Sequence, residues 1–346
     1  FYHATSHIVV RILTENENEI IDNSFFEKRI EDALKYRFVV EKDNLDNCRL
    51  IFGDADLLPG LTVDRYNDVL VTQVTSFAIE QRKDFIYQLL LDILNKNNQT
   101  VKYIYERNDV QVRTKEGLEL YKGFYGKETC STDLVIAENH LLLNVDIQNG
   151  QKTGYFLDQK SNRMLIRNMA KGLRVLDCFT HTGGFALNAA SGEAKSVTAV
   201  DVSGTALEEA RKNAEINHFT NMTFVQADVF DYLEEMKEGE FDLIILDPPA
   251  FTKSRKTVKQ AYYGYKRINL EAMKKLENGG FLATCSCSRY METSLFEQML
   301  KEAALEANVL LKQVSVTQQN HDHPILWSME ETSYLKFFIF QIVKEK

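Results

Sequence analysis

The sequence predicts an α/β protein. A doubly wound, mostly parallel seven-stranded sheet with an antiparallel C-terminal hairpin follows a smaller α+β domain. Three observations carry this. From Arg174 onward, strand-like and helix-like patterns alternate regularly, as in a sheet built by right-handed crossovers. The segment Phe241-Asp242-Leu243-Ile244-Ile245-Leu246 is apolar at five of six positions, which suits a strand covered on both faces. The last two strand patterns, 309–317 and 334–343, have no helix between them and so pair only as an antiparallel unit.

The elements follow in order. Residues 7–13 (HIVVRIL) read as a strand. Phe26, Ile30, Ala33 and Leu34 share one face of a helix over 25–38, with Asn23 or Ser24 as N-cap. Strands are expected at 49–52 and 69–75, joined by a turn-rich link, Pro59 to Asp64. A long amphipathic helix covers 79–94, and strands cover 101–106 and 141–147. The pattern changes near Asn149-Gly150. Helices are then expected at 158–170, 184–190, 206–217, 265–276 and 294–307, and strands at 174–176, 196–200, 222–226, 243–246 and 281–284. This divides the chain into residues 1–14, the end of something N-terminal, a central α+β domain over 15–150, and a doubly wound domain over 151–346.

At 346 residues, two domains fit the usual prior of roughly 150 residues each. No apolar stretch approaches the roughly 20 residues that span a bilayer, so no membrane partner is expected. Five cysteines at irregular spacing argue against a disulfide framework and for a reducing cytoplasm. Their spacing matches no zinc template, and no metal is expected. The net charge of −9 opposes simple nucleic-acid coating. Charge is nevertheless local. Between Pro248 and Leu270 there is no acidic residue, and Lys253, Arg255, Lys256, Lys259, Lys266 and Arg267 alternate with Phe251, Tyr262, Tyr263 and Tyr265. Such a segment holds phosphates and stacks bases, or is a solvated loop leading into a helix.

The strand-loop-helix Val175 to Phe185 carries Asp177, Phe179, Thr182, Gly183 and Gly184. The two glycines let the backbone turn tightly near a ligand. The loop is not G-x-G-x-x-G, which disfavours a nicotinamide cofactor. Asp201, followed by Ser203, ends the next strand and suits a ribose diol. Asp228 ends the third and suits an exocyclic amine. Three acids on successive strand tips repel phosphates and favour a neutral nucleoside, which points to S-adenosyl-L-methionine. Each acid alone would also serve as a helix N-cap. Asp247-Pro248-Pro249 stiffens the tip of the 243–246 strand, and Cys285 and Cys287 follow on a neighbouring one. A carboxylate and a thiol so placed suit covalent chemistry on an electron-poor ring.

Together these stretches resemble the rRNA large subunit methyltransferase I family, bacterial RNA cytosine-C5 methyltransferases. The resemblance runs through Leu58 to Tyr66, Lys152 to Gln159, Cys178 to Phe185, Asp247 to Phe251, Gly264 to Asn269, Cys287-Ser288 and Asp322-His323-Pro324. The Lys152 to Asp158 run and Asp-Pro-Pro-x-Phe are shared with a sister family that methylates guanine N7, so the cysteine discriminates. Ala250 stands where family members often carry lysine. The resemblance implies that residues 1–14 are the last strand of a PUA RNA-binding domain. It implies an S-adenosylmethionine-dependent cytoplasmic enzyme acting on large-subunit rRNA, not DNA, as a monomer or homodimer. It makes Cys287 the nucleophile, with Cys285 in reserve. Asp247 would hold the base edge and help bind the cofactor, and Phe156 would line the cofactor cleft. Phe251, Lys253, Arg255, Tyr265, Lys266 and Arg267 would contact RNA. The same fold acting on guanine N7 or an adenine amine, and an RNA-binding assembly factor without catalysis, are the alternatives.

Overall fold

The computed structural model describes residues 6, 8–252 and 254–344. The chain forms two compact units. Unit 1 takes Phe1–Glu138, Asn144–Asp158 and Asn320–Thr332; unit 2 takes Asn139–Leu143, Gln159–Gln319 and Ser333–Lys346.

Of the expected first strand, His7 lies outside the described residues, as do residues 1–5 of the expected 1–14 segment. Val10 is a lone bridge residue, and 11–14 carry no regular structure. Helix α1 (Asn23–Val40) starts one residue earlier than either expected cap allows. Asp22 is the cap, its carboxylate accepting from Phe25 N at 3.1 Å. The helix buries Phe25, Phe26, Ile30, Ala33, Leu34 and Arg37. Strands β1 (Asn47–Phe52), β2 (Leu61–Tyr66) and β3 (Val69–Val74) form an antiparallel meander. The turn-rich link therefore contains a strand. Pro59-Gly60 is the turn, and Leu61 and Val63 are fully buried on the core face. The expected long helix is two, α2 (Phe77–Glu80) and α3 (Lys83–Lys96). They bridge β3 to β4 (Tyr103–Asn108), which is parallel to it, and β5 (Tyr121–Phe124) closes the five-stranded sheet. Strands β6 (Asp133–Glu138) and β7 (Leu141–Asp146) follow.

A buried polar cluster explains why 320–332 belongs to unit 1. Arg37 Nη2 donates to Asp322 O at 3.0 Å and Arg49 N donates to Asp322 Oδ2 at 2.8 Å. Asp322 Oδ1 accepts from Asn320 Nδ2 and lies 2.7 Å from His323 Nδ1. Buried charges need such partners. The Asp-His-Pro motif is thus a structural clasp within this unit.

Unit 2 contains α4 (Lys160–Met169), β8 (Arg174–Cys178), α5 (Gly184–Ser191), β9 (Ser196–Asp201), α6 (Gly204–Ile216), β10 (Met222–Gln226), α7 (Val229–Glu235), β11 (Leu243–Leu246), α8 (Val258–Lys275), β12 (Phe281–Ser286), α9 (Thr293–Ala307), β13 (Leu310–Thr317) and β14 (Lys336–Val343). The strand order is β10-β9-β8-β11-β12-β14-β13. The first five run parallel, and β14 is antiparallel to both β12 and β13. Strand alternation sends side chains to two faces. Leu176, Ile244 and Leu246 enter one core, with Tyr265, Phe296 and Met299. Val175, Leu243, Ile245 and Ala283 enter the other, with Phe185 and Phe337. Both faces are covered, as the apolar run at 243–246 requires.

Among the described residues no helix is long and apolar enough to cross a membrane.

Candidate active site

The site is built at the C-terminal ends of β8, β11 and β12. β11 lies between the other two, with Leu246 opposite Cys178 on one side and Thr284 on the other. The tips carrying Asp177, Asp247 and the cysteine pair are therefore adjacent.

The loop after β8 folds around Asp177. Its Oδ2 accepts from Thr180 Oγ1 at 2.6 Å and from Ala186 N at 2.9 Å, tying the loop to the first turn of α5. Positive φ at Phe179 (61°), His181 (51°) and Gly183 (87°) makes the reversal. A Cβ on Gly183 would lie 3.2 Å from Ala210 Cβ, so helix packing as well as the turn requires glycine. Asp177 is 1% exposed, and its Oδ1 has no hydrogen-bond partner. Burial, reinforced by the nearby Asp247 and Asp201 carboxylates, pushes its pKa up to about 7 against the pull of Thr180 and Ala186. Asp177 therefore organises the loop through one oxygen while the other is left without a donor. A carboxylate that organises a loop must be enclosed by the loop's donors.

Asp201 Oδ2 accepts from His181 N, and Oδ1 from Ser203 N, each at 2.9 Å. It joins the tip of β9 to the β8 loop. Ser203 caps α6 through Ala206 N at 3.3 Å, and the exposed Asp228 caps α7 through Phe230 N at 2.8 Å. Both capping residues remain at the strand tips, Ser203 half-buried. Thr182 and Gly184 are half-buried in the same loop. Phe156 is half-buried in unit 1, where the Lys152 ammonium lies 4.5 Å from its ring centre.

Asp247 is half-buried, and its Oδ1 accepts from Cys285 Sγ at 2.8 Å and from Gln159 Nε2 at 3.3 Å. Gln159 Oε1 in turn accepts from Asn162 Nδ2 at 2.7 Å, and Asn162 Oδ1 from Thr317 Oγ1 at 2.7 Å. Sequence reasoning missed this chain of amides. Its one signal was Gln159 closing the Lys152 to Gln159 run. Cys285 is fully buried, and burial together with Asp247 holds its pKa well above the ordinary thiol value. A thiol kept protonated as a hydrogen-bond donor is a poor nucleophile. Cys287, one residue past the end of β12, is half-buried.

Tyr265 is corrected from RNA contact to internal strut. It is fully buried, its Oη 3.0 Å from both Ser286 Oγ and Ser288 Oγ, the residues on either side of Cys287. Burial pushes its pKa up to about 12. The Phe251 ring lies 4.6 Å from the Tyr265 ring at a tilt of 43° and meets Phe230 and Phe179 at 6.1 and 6.4 Å. Lys266 is ion-paired with Glu306 at 2.7 Å and Glu302 at 3.5 Å, and Arg267 with Glu234. The expected basic patch is neutralised on this part of α8 because the acids of α7 and α9 face it. Arg255 is exposed at the start of the segment, and Lys253 lies outside the described residues. No group of three His, Cys, Asp or Glu side chains fit to hold a metal occurs among the described residues.

A family model described as S-adenosylmethionine-dependent methyltransferase matches residues 121–340. The chain is 40% identical over 347 residues to the ribosomal RNA large subunit methyltransferase I of Klebsiella pneumoniae subsp. pneumoniae, covering 99% of this chain and 86% of that one. It is 41% identical over 343 residues to the protein of the same name from Aliivibrio fischeri, covering 98% and 85%. A solved Streptococcus mutans protein described as an S-adenosylmethionine-dependent methyltransferase superposes with a TM-score of 0.80 at 23% identity, covering 95% of this chain and 84% of that one. A second solved chain, described as a methyltransferase complexed with S-adenosylhomocysteine, gives 0.80 at 24% identity, with 94% and 83% covered. At that identity the likeness concerns the fold.

Proposed function

The chain belongs to the ribosomal RNA large subunit methyltransferase I family of S-adenosylmethionine-dependent methyltransferases, and from that premise we propose that it forms 5-methylcytosine in large-subunit rRNA through a covalent adduct of Cys287. The observation that carries this reading is the contrast between the two cysteines. Cys285 is fully buried and hydrogen-bonded to Asp247, whereas Cys287 sits beyond the strand end and is only half-buried. Methylation of guanine N7 needs no nucleophile and leaves such a thiol without a role.

The cofactor's chemistry fits the donor set. Asp177, Asp201 and Asp228 supply acceptors and no cation, and Asp177 Oδ1 is a buried acceptor awaiting a donor. Phe179, Thr182, Gly183, Gly184, Ser203 and Asp247 complete the set we assign to it. S-adenosylmethionine supplies an electrophilic methyl group.

The protein's own steps concern the base. Cytosine C5 is a weak nucleophile. Attack of the Cys287 thiolate forms an Sγ–C6 bond and shifts the C5=C6 pair toward C5, while N3 takes a proton. Asp247, held by Gln159 and Cys285, positions the base edge and stabilises that proton. After C5 gains its methyl group, loss of the C5 proton restores the double bond and expels the thiolate, and N3 gives back its proton. The cytosine must first leave its stack. Phe251 and the exposed Arg255 are the RNA contacts this arrangement supports, with Lys253 the remaining candidate. Residues 15–150 act as a central domain and 151–346 as the catalytic domain.

Nucleoside mass spectrometry of rRNA from cells with and without the gene tests the reading. Loss of one 5-methylcytidine supports it. Loss of 7-methylguanosine or a methylated adenine, or no change, overturns it.

A further inference from the structure

Lys336 opens β14 and is 6% exposed. A buried ammonium is costly unless paired. Among the described residues no carboxylate lies within ion-pairing distance of it. Its ammonium donates from Nζ to Ser288 O at 2.8 Å. Across the ladder its register partner is Ser286. Lys336 thus engages the residues on both sides of Cys287.

We propose that Lys336 is the positioning residue that favours the thiolate form of Cys287. The inference rests on Cys287 being the nucleophile. Cys285, on β12, donates its thiol proton to Asp247 and stays neutral. Tyr265, on α8, is held as a neutral phenol between two serines. Glu292, the residue before α9, is an acid near enough to act on Lys336. Burial brings the Lys336 pKa down to about 8, while the Cys287 sulfur and Glu292 pull it upward. Attraction between an ammonium and a sulfur anion is mutual, so the same proximity stabilises the thiolate. The lysine acts by charge, not by taking the sulfur's proton in a relay.

The test is alkylation of Cys287 by iodoacetamide across pH 6 to 10, read on the Cys287 peptide by mass spectrometry, with the full chain and no RNA. The expected wild-type midpoint lies below the ordinary thiol value of about 8.5. Lys336→Met should raise that midpoint by about one unit, slowing alkylation about tenfold near pH 7, and Lys336→Arg should stay near wild type. Coincident Lys336→Met and wild-type profiles overturn the proposal. So does a wild-type midpoint at or above about 8.5, which decides the matter even if Lys336→Met fails to fold. The outcome is independent of the product assignment. A shifted profile with 7-methylguanosine as product keeps the pair and removes the cytosine reading; 5-methylcytidine with an unshifted profile does the reverse.

Discussion

The thiol of Cys285 donates to the carboxylate of Asp247, Sγ to Oδ1, at 2.8 Å across adjacent parallel strands. One cysteine of the pair therefore orients the acid and leaves the covalent step to the other. Cys287→Ala should reduce methyl transfer by about 10³-fold or more and abolish the RNA adduct seen on a denaturing gel. Cys285→Ala should keep the adduct and slow turnover by about tenfold, because Asp247 keeps Gln159 as a donor. Equal losses in both variants would contradict this division of labour.

Tyr265 links Ser286 to Ser288 around the same cysteine. Tyr265→Phe removes both hydrogen bonds and should cost about 1–3 kcal/mol of stability in urea unfolding. It should also lower kcat, by at most about 10²-fold, through misplacement of Cys287. Calorimetric affinity for S-adenosylmethionine should stay near wild type, since the hydroxyls bonded to Tyr265, those of Ser286 and Ser288, are not among the groups assigned to the cofactor.

Asp177 gives stability a pH dependence. Its folded pKa, pushed up to about 7 by burial, exceeds the ordinary unfolded value of about 3.9. The folded state binds more protons between those values, so this group's contribution is present below about pH 4 and lost as pH rises toward 7. Asp177→Asn should flatten that decline in urea midpoints compared at pH 4.5 and 7.5. The comparison of slopes matters, because the new amide also places a donor where Oδ1 had no partner.

The cations after Asp-Pro-Pro should differ in their effect on RNA affinity. Arg255 is exposed and enters no ion pair among the described residues, so Arg255→Ala should weaken RNA binding and reduce the salt slope by about 1. Arg267→Ala should change affinity little, since Glu234 already holds its guanidinium. Fluorescence anisotropy with an rRNA fragment at two salt concentrations separates them.

Legibility followed how local each cause is. The strand at 243–246 was readable because a strand covered on both faces is apolar at consecutive positions. Gly183-Gly184 was readable because reversed backbone favours glycine. The strand Leu61–Tyr66 was read as a link because Pro59-Gly60 supplies turn chemistry beside it. What Tyr265, Lys266 and Arg267 bind within the chain was not legible, for another reason. Their partners, Ser286, Glu306 and Glu234, lie on other elements, and only packing brings them together.

The order of strands, the parallel sheet with its final hairpin and the placement of acids on strand tips were determined by the sequence alone, through periodicities and turn residues acting over a few positions. Which cysteine is buried as a donor, which acids are tied to backbone amides, which cations are neutralised and where an unpaired lysine lies were decided by the tertiary structure. Those properties depend on burial and on charges far apart in the chain. A residue's type states what it can do, and its desolvation and neighbours select which of those roles remains.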